Sequence, residues 1–188
     1  FAFDGFADTM QTYLKELKAL LKDKQDKIAE LNREIDEGVF SATVDPRRPT
    51  IAPPKEDVPP HLNFAPLENA VEALRRSAER YARAGVRLQG RDGLPSDLLK
   101  RVNGLLMRSE RLLTAEGGLP RRPWFKHLIY APGVYTGYGA KTMPGAREAI
   151  EQKRYAEADG EIARIAKALQ DEAALIDSAT AELERTSS

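Results

Sequence analysis

A chain of 188 residues can bury one substantial core but hardly two. Its 29 basic and 29 acidic residues cancel, so no global field favours nucleic acid, and no apolar run approaches the roughly 20 residues that span a bilayer. The absence of cysteine excludes disulfides and thiol chemistry and leaves the compartment open.

The chain opens at Phe1 with neither an initiator Met nor a signal-peptide pattern, and we expect a cut from a longer polypeptide. From Phe6 to Ile35, apolar residues fall at Met10, Leu14, Leu17, Leu21, Ile28, Leu31 and Ile35, with Lys24 interrupting one seam position. Alternating steps of four and three predict one long amphipathic helix, with Asp4 as N-cap and Gly38 as its stop. Residues 41–66 hold seven of the twelve prolines. Proline removes a backbone donor and fixes φ, so this stretch is expected to be an extended excursion over the surface.

A second helix is predicted from Leu67 to Ala84, with Pro66 in its first turn and Ala70, Val71, Leu74, Ala78 and Tyr81 on one face. "GRDG" then reads as a turn. A third helix is predicted from Asp97 to Ala115, turning Leu98, Val102, Leu105, Ser109 and Leu112 inward and ending at Gly117 and Gly118. After a segment rich in aromatics, a short helix begins near Pro144. A last long helix carries Ala158, Ile162, Ile165, Leu169, Ile176, Ala179 and Leu183 on one face. No alternating strand pattern of useful length is present. The fold expected is all-α: an antiparallel four-helix bundle, one domain over 1–188, with the proline-rich excursion at 41–66 and a long aromatic loop at 117–145.

Chemistry is sparse. The only histidines are His61, expected at the surface, and His127, expected to be a hydrogen-bonded structural residue. No HExxH, Glu-x-x-His, Walker or GxGxxG pattern occurs, so we assign no catalytic residue and no metal ligand to this chain. The aromatic segment differs from the rest. It carries Arg121, Arg122, Lys126 and Lys141 with no carboxylate, beside Tyr130, Tyr135 and Tyr138 and the start of a helix. Those groups suit a carboxylate ligand. The plainer reading is that Trp124, Phe125, Leu128, Ile129 and Tyr130 plug the bundle.

Short motifs follow one another through the second half of the chain: "ERLL" at 110–113, "GLP-RP" at 118–123, "H-IYAP" at 127–132, "GY" at 137–138, "PG" at 144–145 and "GE" at 160–161. In that order they resemble the C-terminal helical, or dimerisation, domain of the glutamate carboxypeptidase II (prostate-specific membrane antigen) and transferrin receptor family. The resemblance is specific from about Leu98 to Leu183 and only topological before Gly93; the proline-rich excursion has no counterpart in it. It implies a parent with an upstream protease domain holding two zinc ions, itself secreted, periplasmic or membrane-anchored. It implies a homodimer whose helical domain lends a loop to the pocket of a peptide substrate.

In glutamate-selective members, that loop carries adjacent Lys and Tyr on the substrate carboxylates. Here Tyr138 matches the Tyr, whereas Gly137 occupies the Lys position, and Lys141 is the weaker neighbouring candidate. The expectation is therefore a parent not strictly selective for glutamate. The insertions tilt it toward a microbial peptidase, although the transferrin receptor branch lacks peptidase activity. The rival reading is a free-standing helical interaction domain without any peptidase role.

Overall fold

The computed structural model describes residues 2–42, 52–88, 95–135 and 139–185. The first part of the proline-rich excursion, the "GRDG" turn, Gly137 and Tyr138 lie outside them. The described chain is mostly helical: α1 (Asp4–Asp36), α2 (Val39–Ala42), α3 (Ala65–Leu88), α4 (Ser96–Leu106), α5 (Ser109–Leu112), α6 (Pro144–Glu151) and α7 (Tyr155–Arg185). One small sheet pairs β1 (Tyr130–Pro132) with β2 (Ala140–Thr142).

Along α1, Ala7, Met10, Leu14, Leu17 and Leu21 are buried, and the rest of the stripe, Ile28, Leu31 and Ile35, is half-buried. Asp4 stands in the first turn rather than capping it; Phe3 holds the cap position. The carboxylate favours the helix N terminus from inside the turn. Gly38 ends the helix at φ 70°, a left-handed conformation that glycine adopts without a Cβ penalty. Lys24, the interruption in the seam, sends its ammonium to the carbonyl of Glu151, the last residue of α6, at 3.3 Å. A cation there complements the C-terminal end of that helix.

The described part of the excursion lies along α1. Asn32 donates to the Glu56 carbonyl at 2.7 Å and accepts from its N–H at 3.1 Å, and Gln25 donates to the Pro59 carbonyl at 3.0 Å. Leu62 and Phe64 are buried at its end. With no ladder to join, proline-rich backbone has its carbonyls satisfied by side chains of the neighbouring helix. Helix α3 begins at Ala65, so the excursion is shorter than expected; its face buries Leu67, Ala70, Val71, Leu74 and Ala78 as the period predicts. Tyr81 is half-buried and meets Phe3 edge-on, with ring centroids 5.3 Å apart.

The expected third helix is two. Helix α4 stops at Leu106 and α5 resumes at Ser109, so the buried residues are Leu98, Val102, Leu106 and then Leu113. Leu105, Ser109 and Leu112 are only half-buried. The inward face has already shifted by one residue at Leu106, inside α4, and after the break it continues at Leu113 rather than Leu112.

Helix α7 is the hub, packing against α3, α4, α5 and α6, while α1 packs on α3 and α6. It buries the expected stripe and a second one with Ala166, Ala173 and Thr180, whose small side chains let a neighbour approach closely. No helix among the described residues is long and apolar enough to cross a membrane.

Candidate functional site

The loop at 117–145 is built on its own motifs. Leu119, Leu128, Ile129, Ala131 and Met143 are buried and join the core. Gly118, at φ 64°, is a point of tight backbone approach: a Cβ there would stand 2.7 Å from the Cα of Pro123. The Leu119 N–H donates to the Phe125 carbonyl at 2.8 Å, and Phe125 N–H to the Arg122 carbonyl at 3.0 Å, so "GLP-RP" is a closed turn. The two three-residue strands then pair antiparallel, Tyr130 opposite Thr142 and Pro132 opposite Ala140. The Gly133 N–H donates to the Gly139 carbonyl at 3.0 Å, continuing the hairpin past its strands.

The aromatic residues do not plug the core as a set. Trp124 is 68% exposed and Tyr135 83% exposed, with Tyr130 and Val134 also outward; among the described rings of the loop, Phe125 packs partly on the core. The plug is aliphatic, made by Leu128 and Ile129, and the rings stand on its outer side.

Nor are the four cations a vacant carboxylate site. Arg121 grips Glu157 through two hydrogen bonds of 2.7 Å, which raises the Arg121 pKa and lowers that of Glu157. Arg122 donates to Glu148 at 2.7 Å and to the Pro132 carbonyl. Lys126 donates to the Glu116 carbonyl, and Lys141 pairs with Glu151. A segment read as basic in isolation is thus neutralised largely by carboxylates on α6 and α7. The start of α6 is occupied in the same way. The Glu161 carboxylate of α7 lies against Gly145, with its Cδ 2.9 Å from where a Cβ would stand, so the chain supplies its own anion near this N terminus.

His127 is structural. Its Nδ1 accepts from the Ile129 and Tyr130 N–H groups at 3.1 and 3.3 Å, and its ring stacks on Tyr130 at 3.9 Å. Nε2 lies 3.2 Å from Glu110 of α5, which also accepts from the Tyr130 hydroxyl at 2.9 Å. Burial lowers the His127 pKa, against the pull of Glu110. The Glu of "ERLL" and the His and Tyr of "H-IYAP" are therefore one contact. His61 is exposed at the rim of a groove between α1 and residues 61–64.

Of the candidate site residues, Lys141 lies in β2, its ammonium on Glu151. Gly137 and Tyr138 belong to the stretch between Tyr135 and Gly139, outside the described residues. Sequence reasoning missed the buried Arg122–Glu148 pair and the Gly145–Glu161 contact. The signal available was the missing acid itself: four cations in a loop packed on a core need counter-charges from elsewhere in the chain. Among the described residues, no group of three or more His, Asp or Glu is placed to hold a metal ion.

Residues 62–177 match the family model of the transferrin receptor-like dimerisation domain. The match opens at Leu62 and so takes in α3, upstream of where the motif resemblance becomes specific. A probable glutamate carboxypeptidase of Arabidopsis thaliana is 46% identical over 56 residues, covering 30% of this chain and 8% of that protein. A probable glutamate carboxypeptidase of Arthroderma benhamiae is 29% identical over 119 residues, covering 63% of this chain and 16% of its own length. An inactive zinc metalloprotease of Schizosaccharomyces pombe is 37% identical over 71 residues, covering 38% and 9%. The chain therefore spans well under a fifth of the length of these relatives.

Proposed function

Because the chain belongs to the transferrin receptor-like dimerisation domain family, we propose that it serves a larger glutamate carboxypeptidase-like protein as a non-catalytic domain. In this reading, it pairs two copies of the protein and completes a substrate pocket. In architecture, we read α1, α3, α4 and α7 as an antiparallel four-helix bundle with 117–145 as its long aromatic insertion. The zinc ions and the metal-activated water of such a peptidase belong to a protease domain elsewhere in the polypeptide, and the parent works outside the cytoplasm. No chemical step is routed through the residues of this chain.

The observation that carries the pocket role is the hairpin at 130–142. Its base is anchored in the core through Ile129, Ala131 and Met143, while Val134 and Tyr135 stand outward. Tyr138 donates its hydroxyl to the α-carboxylate of the substrate. Gly137 in the place of a lysine withholds the charge-assisted contact that selects a glutamate side chain, and Lys141 is already paired.

The test uses the full-length protein and blocked dipeptides ending in different residues. Tyr138→Phe is expected to raise KM about tenfold, the worth of a hydrogen bond to a charged group, and to leave kcat close to wild type. A wild-type KM in that variant, or strict selectivity for terminal glutamate in the parent, refutes the corresponding assignment. A second reading, a parent that keeps the domain without peptidase activity, draws on the inactive Schizosaccharomyces pombe relative. The same assay separates the two. Sedimentation of the full-length protein tests the pairing.

A further inference from the structure

We infer that the buried Arg122–Glu148 pair is the positioning element of the pocket hairpin, a role that rests on the proposed pocket reading and deepens it. Arg122 is 6% exposed and Glu148 4% exposed, and they meet at 2.7 Å. Arg122 also lies over the Phe125 ring, 5.3 Å from its centroid; each side chain of the pair makes one further hydrogen bond, and both go to the same short stretch of backbone. Glu148 accepts the Val134 N–H at 2.9 Å with its other oxygen, and Arg122 donates to the Pro132 carbonyl with its other terminal nitrogen. These are backbone groups of the outgoing arm, just where it leaves β1. The returning arm is tied to the same helix: Arg147 donates to the Thr142 carbonyl at 3.0 Å, and Lys141 pairs with Glu151. Helix α6 is in turn packed on α7. A charge pair taken out of water costs several kcal/mol, and apolar residues of similar volume often fold as well or better. Its retention here has a local use, because Pro132 and Val134 present backbone groups that only a donor and an acceptor can satisfy.

The pair therefore acts at a distance, fixing where the exposed Val134 and Tyr135 are presented, and touches no substrate itself. The test compares Glu148→Gln, Glu148→Asp and Arg122→Lys in the full-length protein by hydrogen exchange and by kinetics with the blocked dipeptides. Glu148→Gln leaves the guanidinium without its counter-charge; the peptide covering 130–142 should exchange about tenfold faster while α7 stays protected. KM should rise with kcat unchanged, and Glu148→Asp should restore part of both. Arg122→Lys keeps a charge for Glu148 but not the two-pronged reach to Pro132, and is expected to show the same changes at smaller size. Wild-type exchange over 130–142 in Arg122→Lys, or exchange that rises equally in α7, overturns the proposal whether or not Glu148→Gln folds. An altered KM in Tyr138→Phe beside an unaltered one in Glu148→Gln overturns the positioning role and leaves the pocket reading standing. An unaltered KM in Tyr138→Phe removes the pocket reading and the positioning role with it.

Discussion

Gly145 and Glu161 sit far apart in sequence and touch in space, so neither can be changed without reference to the other. A methyl group on Gly145 would meet the Glu161 Cδ at 2.9 Å and its Cγ at 3.0 Å. The carboxylate cannot swing away freely, because its other oxygen holds Arg164 at 2.5 Å. Arg164 in turn donates to the Gly118 carbonyl at 2.9 Å, so the strain would pass to the turn at the start of the loop. Overpacking of this kind costs about 1–3 kcal/mol. Gly145→Ala should therefore lower the melting temperature, and Glu161→Ala in the same chain should recover part of the loss by emptying the space. Thermal denaturation of the four chains of the cycle decides it; additive single effects would show that the contact does not govern the site. The two motifs "PG" and "GE" are in this sense one requirement, a helix start with room for an internal anion.

At the scale of elements, the loop separates residues by what they touch rather than by what they are. Ile129 is 2% exposed within the plug, whereas Trp124, on the same loop, stands in solvent. Ile129→Ala should cost about 2–5 kcal/mol by opening a cavity. Trp124→Ala should stay within about 0.5 kcal/mol in this chain alone, as surface changes do. Equal losses in urea denaturation would place Trp124 in the core after all.

The period of apolar residues made α1, α3 and α7 legible, since a stripe at steps of three and four has one helical solution. It misplaced the inward face from Leu105 onward, where Leu106 and Leu113 are buried instead of Leu105 and Leu112, and a break of two residues leaves no mark in composition. The hairpin was not legible either: strands of three residues, Tyr130–Pro132 and Ala140–Thr142, are too short for alternation to declare itself. At the site, composition misjudged the charge of the loop. Arg121 and Arg122 find Glu157 and Glu148 only once α6 and α7 are folded against the loop. Local bias in charge describes a segment, whereas a binding site depends on what remains unpaired after folding.

For the whole molecule, two buried titrating groups pull the pH dependence of stability in opposite directions, and both converge on α5. Glu172, at the centre of α7, is 0% exposed; one oxygen accepts from the Ser109 hydroxyl at 2.5 Å, and the other has no hydrogen-bond partner. Desolvation raises its pKa above the ordinary carboxylate value, opposed by the Ser109 hydrogen bond and helped by the charge of Glu110. The folded state thus holds this proton more tightly than the unfolded chain does. Its stabilising share is complete in acid and is lost as pH rises through the raised pKa. His127 behaves in the reverse sense. Its folded pKa lies below its ordinary value because burial disfavours the cation, and protonation would also take Nδ1 from the two N–H groups it accepts. Its share is complete above the ordinary histidine range and is lost as pH falls from that range through the lowered folded value.

Glu172→Gln keeps an acceptor for Ser109 and removes the charge. Its melting temperature relative to wild type should rise steadily from acid toward neutral pH. His127→Asn keeps an acceptor near Nδ1 and removes the titration; its deficit from the lost stacking should shrink as the solution is acidified. Melting curves of the three proteins across the acid-to-neutral range make the comparison. Wild-type and Glu172→Gln curves that run parallel throughout would mean that Glu172 folds already charged. In that case, α7 would be carrying an unpaired carboxylate at its centre, and the hub of the fold would be less stable than its packing suggests.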